Sequence, residues 1–145
     1  MTITTRLFEV APPGEGPSLA LHGGAGGRIL ELDPSGRAPY ENGLQAAYQA
    51  GWRVLAAGGS ALDAVCASVV ALEDDPLFNA GRGAALTATG RAELDASVMT
   101  GSGRAGAVAA SRYARNPVRL AACPLHEHPD VEPYDQDQAR RRVFT

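Results

Sequence analysis

The sequence predicts an α/β chain that supplies only part of a larger sheet, and a few patterns in it carry that expectation. Leu44, Ala47, Tyr48, Val54 and Leu55 recur at helical spacing, and so do Leu62, Val65, Val69 and Leu72. Leu94, Ala96 and Val98 alternate with Asp95 and Ser97, which is the period of a strand with one buried face. Strands rich in Ala and Val, with small residues on both faces, suggest a sheet meant to be covered on both sides. The helices in this chain cover only one side. An open sheet face and open edges are liabilities that a second chain or segment removes.

Each element has its own punctuation. Thr5 to Val10 reads as a short edge strand, cut off by Pro12, Pro13 and Gly14. Ser18-Leu19-Ala20-Leu21 is an apolar run that ends in His22-Gly23-Gly24-Ala25-Gly26-Gly27, as a buried strand delivering its end into a Gly-rich turn. Residues 28–39 read as a polar connection with Pro34 and Gly36, and a helix is predicted from Tyr40. Gly51 interrupts its pattern and Gly58-Gly59 ends it as a C-cap. Ser60-Ala61-Leu62-Asp63 resembles a capping box with Asp in place of Glu or Gln, opening a second helix that Pro76 stops. The two helices are expected to pair over one side of the sheet. A turn-rich loop, Phe78-Asn79-Ala80-Gly81-Arg82-Gly83, leads to a hairpin of residues 84–87 with 93–99, turning at Thr89-Gly90. After a turn at 103–106, Ala105 to Ala110 forms another strand, for about four in all. Asn116-Pro117 starts a short helix, with Asn as N-cap, that stops at Pro124. One domain of 145 residues is expected, with its core at 18–122 and a flexible, partly disordered tail at 124–145.

Composition narrows the partners. The net charge is −3 with no basic stripe, which argues against nucleic acid. No apolar run is long enough to span a membrane. Cys66 and Cys123 form no disulfide framework, and Cys66 reads as a small buried hydrophobe, so an intracellular, cytoplasmic location is expected.

The chemical motifs taken singly do not name a reaction. The Gly-rich turn at His22 lacks the third Gly of a dinucleotide fingerprint, since Ile29 stands in its place. Gly81-Arg82-Gly83 also fails, with Leu86 at the third position. His22 is a candidate base at a strand end, with a hydrogen-bonded structural histidine as the bland alternative. His126 and His128 with Glu127 and Asp130 are metal-type ligands lacking a second cluster, and read as solvated. Glu73, Asp74 and Asp75 before a Gly-containing loop offer hard oxygen ligands, or simply solvated charge. Asn79 sits in a turn, where Asn is common for conformational reasons.

The combination is more telling. His22-Gly23-Gly24-Ala25-Gly26, Gly59-Ser60-Ala61-Leu62-Asp63-Ala64-Val65, the run from Leu72 to Gly83 and Glu93-Leu94-Asp95-Ala96-Ser97-Val98-Met99 occur in one order. Together they closely resemble the α subunit of plant-type asparaginases, or isoaspartyl aminopeptidases, over roughly Leu19 to Leu120. The resemblance implies the four-layer αββα sandwich of the N-terminal nucleophile hydrolases, of which this chain forms about half. It implies a precursor that cleaves itself into α and β chains, an (αβ)2 heterotetramer as the assembly, and a nucleophilic Thr at the start of the β chain whose own α-amine is its base. The implied substrates are L-asparagine and β-aspartyl dipeptides. No cofactor for catalysis is implied. Leu72, Glu73, Asp75, Phe78, Ala80 and Arg82 match the family's sodium-binding loop, whose ligands are mostly main-chain oxygens, so a structural sodium ion is implied. Asn79 matches the Asn beside the nucleophile, and His22-Gly23 the Gly-rich loop linked to the cleavage site.

The chain departs from the pattern in three places. Thr100 stands where the family commonly has Asp, the continuation after Leu120 is not recognisable, and no Gly-Thr or Asp-Thr cleavage site appears. The reactive Thr is therefore expected on a separate β chain. Rival readings are a glycosylasparaginase or taspase-like hydrolase of the same superfamily, or a non-catalytic module binding a small anion through its Gly-rich turns.

Overall fold

The computed structural model describes residues 16–24 and 31–127. They build a mixed structure of helix and strand, in the order α1 (Pro34–Ala56), α2 (Ala61–Asp74), a 3-10 turn (Gly81–Gly83), β1 (Leu94–Met99), β2 (Ala105–Ser111) and α3 (Pro117–Glu127). The edge strand expected at residues 5–10 lies outside the described residues.

Helix α1 begins six residues before the predicted start at Tyr40. Asp33 is its N-cap: one carboxylate oxygen accepts the Gly36 N–H at 2.8 Å, and Ser35 Oγ donates to both oxygens. The Gly36 N–H, then the Ser35 hydroxyl, hold the Asp33 carboxyl below the usual range. Pro34 occupies the first turn, where its missing N–H costs nothing. Pro39 lies inside the helix but is exposed, and so is Ser35, whose carbonyl would have been its partner, so the lost bond falls at the exposed start of the helix. The helix ends as Gly58-Gly59 predicted. Gly58, at φ +77°, donates to Leu55 O and Gly59 to Val54 O, both at 2.9 Å, which is a Schellman closure.

Gly51 does not interrupt α1. It is buried at the contact with α2, where an added Cβ would stand 2.1 Å from Ser68 Oγ and 2.8 Å from the Ala64 carbonyl. Ala47 and Gly51 of α1, with Ala64 and Ser68 of α2, give two helices small enough at the contact for backbones to approach. Ser60 caps α2 through the Asp63 N–H at 3.0 Å, as its box-like sequence predicts, and Asp75 leaves the helix in extended conformation ahead of Pro76.

Among the described residues there are two strands rather than the four expected. β1 and β2 pair antiparallel, from Met99 opposite Ala105 to Leu94 opposite Ser111. The turn between them is closed by Thr100 N–H to Arg104 O at 2.8 Å, and Thr100 Oγ1 accepts the Arg104 N–H. Residues 84–87 make a single bridge, Leu86 to Ala92, instead of a hairpin with β1. Residues 18–21 form no strand. Leu19 lies on Gly51 of α1, and this stretch pairs with no strand among the described residues. The register slips between Leu94 and Ala96, where Asp95 Oδ1 accepts the N–H of Ala110, a non-Gly residue at φ +50°.

One face of the two strands carries the core. Val98 packs with Ala121, Ala122 and Leu125 of α3, and Leu62, Cys66, Ala96 and Val108 close around them. The sheet is thus covered by α3 with α2, and α1 packs on α2, which corrects the expected cover by the first two helices alone. Burial in this core pushes the Cys66 thiol up, in keeping with a packing role. α3 runs through Pro124 to Glu127 instead of stopping at Pro124, because that Pro is on the exposed face and its lost bond falls on an exposed Leu120. The rest of the expected tail, His128 and Asp130 included, lies outside the described residues. Among the described residues no helix is long and apolar enough to cross a membrane.

Candidate active site

The loop between α2 and β1 is built from its own side chains and carbonyls. Asp75 Oδ1 accepts the Leu77 N–H at 3.0 Å, and its carbonyl accepts the Phe78 N–H at 3.3 Å. Phe78 O accepts from Ala80 at 2.8 Å and Ala80 O from Gly83 at 3.0 Å. Gly81, at φ +48°, curls the chain back until an added Cβ would meet the Glu73 carbonyl at 2.4 Å. A Cβ on Gly83 would stand 2.2 Å from Phe78 O and 2.6 Å from Pro76 O. The two glycines flanking Arg82 therefore serve backbone approach, and main-chain oxygens crowd this turn. Leu72 O accepts the Asp75 N–H, and the Arg82 side chain is exposed.

Asn79 is held at the edge of this turn. Its Oδ1 accepts the Ala85 N–H at 2.8 Å. A backbone N–H needs an acceptor, so this bond fixes which way the amide points and leaves the Nδ2 hydrogens to donate elsewhere. Asn79 borders an open pocket of about 320 Å³ between the loop and β1, with Glu93 and Asp95 on its other side. Glu93 is engaged with Arg112 and Asp95 with Ala110.

Gly23 approaches the same loop, while the exposed His22 contacts its own turn. His22 Nδ1 accepts the Gly24 N–H at 3.1 Å, so the imidazole acts here as a turn-former. Gly23 rests on Phe78 and Leu44: a Cβ there would lie 3.0 Å from the Phe78 ring and 3.1 Å from Leu44 Cδ2. The structure thus brings the Gly23 segment and the residue preceding Asn79 into contact.

Glu73 is a buried carboxylate, 3% exposed, that sequence reading placed in the loop by its main chain. Its Oε1 accepts the Val118 N–H at 3.1 Å, so it caps α3 from across the fold. Asn116, expected to be that cap, instead donates through Nδ2 to Asp74 at 3.2 Å, beside the forked Arg115–Asp74 pair at 3.0 and 3.1 Å. Arg115 holds the Asp74 carboxyl below its ordinary value. Desolvation pushes the Glu73 carboxyl up, opposed by the Val118 N–H and the Asn116 amide. Glu73 Oε2 is buried without a hydrogen-bond partner among the described residues.

The raised carboxyl fixes a sign. Ionised Glu73 disfavours the folded state above its raised pKa, and this cost is absent below the ordinary value of 4.5. Glu73→Gln keeps an acceptor for Val118 and cannot ionise, so it should match or exceed the wild type in stability at pH 7, with the gap closing near pH 4. Asp74, shifted the other way, loses its contribution as pH falls, but equally in both proteins. Glu73→Ala should lose about 2–4 kcal/mol from the orphaned N–H and the void. Melting curves from pH 4 to 8 test this. A Gln variant as damaged as the Ala variant contradicts it.

Among the described residues no three His, Cys, Asp or Glu side chains gather to hold a metal. The donors near Gly81 and Gly83 are main-chain carbonyls, the chemistry a hard monovalent or divalent cation accepts.

Residues 15–138 match the family described as asparaginase. The human isoaspartyl peptidase/L-asparaginase is 42% identical over 125 residues, 86% of this chain and 40% of that protein. The Escherichia coli K12 isoaspartyl peptidase is 43% identical over 115 residues, 78% of this chain and 36% of that protein. The plant-type L-asparaginase of Thermococcus kodakarensis is 45% identical over 106 residues, 72% and 33% of the two. The chain thus spans two fifths or less of the length of these relatives. On a match running through the Gly-rich segment, both long helices, the Asn79 loop and the β1–β2 pair, this chain belongs to the asparaginase family.

Proposed function

We propose that this chain is the α part of a threonine amidohydrolase that cleaves L-asparagine and β-aspartyl dipeptides, completed by a β chain carrying the nucleophile. The observation that carries this reading is the meeting of the Gly23 segment with the Asn79 loop at Phe78, in a chain of the asparaginase family. The bare side of the β1–β2 pair, where Asp95, Ser97 and Met99 and the alanines at 105, 107 and 109 are exposed, supports a partner sheet laid against it, as in an αββα sandwich. The same reading expects an (αβ)2 assembly, and the free Cys66 and Cys123 suit a reducing compartment such as the cytoplasm.

In this reading the Thr hydroxyl adds to the side-chain amide carbon of the substrate, and the Thr α-amine takes its proton. The C–N bond then breaks, the proton goes to the leaving ammonia or amine, and water hydrolyses the acyl ester. Asn79, its oxygen occupied by Ala85, directs its Nδ2 hydrogens to the oxygen that gains charge. A sodium ion at the carbonyls of Leu72, Glu73, Asp75, Phe78, Ala80 and Arg82 would brace the loop beneath Asn79. The crowding of carbonyls at Gly81 and Gly83 supports such a fit. The ion would supply rigidity and no chemical step.

Co-production of this chain with a β chain that begins at Thr tests the proposal. Aspartate release from L-asparagine is expected from the pair and none from the 145-residue chain alone. Hydrolysis by the isolated chain, or an inert pair of correct mass, overturns it.

A further inference from the structure

Phe78 is 4% exposed, and its ring is gripped from several sides. Tyr40 of α1 meets it edge-on, with centroids 6.2 Å apart at 87°. Gly23 lies against it as described above. The third wall is Gly43, in the interior of α1. An added Cβ there would stand 2.6 Å from Phe78 Cε2 and 2.7 Å from Asp75 Oδ2. Gly43 has no left-handed backbone angle, so space alone asks for glycine, a residue otherwise disfavoured in a helix interior relative to Ala.

We infer that Gly43 is a positioning residue for the active site: it opens the seat for Phe78 and Asp75, and the seated ring fixes both Asn79 and the Gly23 segment. The inference deepens the proposed function and rests on its reading of Asn79. The mechanical link is short. Asn79 follows Phe78 directly, and the Ala80 N–H to Phe78 O bond at 2.8 Å tightens the chain between them. A methyl at Gly43 must push the ring or the Asp75 carboxylate outward by about 1 Å, since contacts under about 3 Å are repulsive. A shift of that size at a reacting group is enough to cost up to about 100-fold in rate.

The test uses the assembled two-chain enzyme. Gly43→Ala is expected to lower kcat for L-asparagine by about 10- to 100-fold with KM within about threefold. It should also displace the Asn79 side-chain amide resonance, identified as the one missing from Asn79→Asp. In a Phe78→Leu background, where the smaller side chain vacates the seat, Gly43→Ala should cost less than about twofold. Equal losses in both backgrounds, or a lower melting temperature with unchanged kcat and resonance, overturn the inference. If Gly43→Ala does not assemble, Tyr40→Leu serves: removing the edge contact should lower kcat and move the resonance, and leaving both unchanged overturns the inference. A wild-type enzyme inert on asparagine defeats the proposed function instead, while the resonance still reports on the seat.

Discussion

Gly106→Ala is expected to destabilise the assembled enzyme by about 3 kcal/mol, at the upper end for overpacking, lowering its melting temperature by roughly 6–12 °C. Gly106 is buried in β2, opposite Val98, and its Cα faces the backbone of α3. A Cβ there would stand 2.0 Å from the Ala121 carbonyl oxygen and 3.2 Å from its carbon. A crowded side chain can rotate away, but a carbonyl inside a helix moves only if the helix moves. Lifting α3 would open the contact of Ala121, Ala122 and Leu125 with Val98 and strain the Glu73 bond to Val118. Gly101→Ala, in the adjoining turn with nothing within 4 Å of the added atom, serves as the control and should stay within about 0.5 kcal/mol. Calorimetry that finds the two variants equally stable refutes this account of the α3–sheet contact.

Asn79→Asp should be as damaging to catalysis as Asn79→Ala, with kcat for asparagine down about 10²- to 10³-fold in each. The two variants differ in what they leave of the loop. Asp keeps an oxygen for the Ala85 N–H, whereas Ala orphans it. Neither keeps the Nδ2 hydrogens. A donor role therefore predicts equal kinetic losses but a smaller stability loss for Asp. If the Asp variant retains most of the activity, Asn79 matters through its bond to Ala85 and not as a donor to the reacting oxygen. Steady-state rates and melting curves on the same preparations separate these outcomes.

Helix boundaries were largely legible where they depend on neighbours in sequence. Ser60 with Asp63, Pro76, and Gly58-Gly59 all act within a few residues, and each ends or begins a helix where expected. The start of α1 was encoded just as locally in Asp33-Pro34, but the Pro and Gly content of residues 34–39 reads as a connection. Pro34 and Pro39 are tolerated because one lies in the first turn and the other faces water. The strands were less legible. Alternation identified β1, and the run of small residues identified β2, but the partner of β1 depends on chain reversal at Thr100–Arg104 and not on any periodicity.

The candidate site divides in the same way. The ordered motifs identify the family, and the match across residues 15–138 agrees with them. They also single out Asn79 and the glycines around Arg82. They do not distinguish a glycine needed for space from one that breaks a helix, and Gly51 was misread for that reason. Gly43 and Tyr40, which seat Phe78, carry no local signal beyond a glycine within a helical pattern.

By itself the sequence determined the caps and breaks of its helices, the alternating faces of β1 and the family to which the chain belongs, because these are written in short-range hydrogen bonding and in ordered motifs. Only the tertiary structure decided that Glu73 rather than Asn116 caps α3, that Thr100 closes a hairpin, and that Gly23, Tyr40 and Gly43 converge on the Phe78 ring. The Glu73 cap and the Phe78 contacts join residues distant along the chain, and the close approach of two backbones leaves no periodic trace in the order of the amino acids.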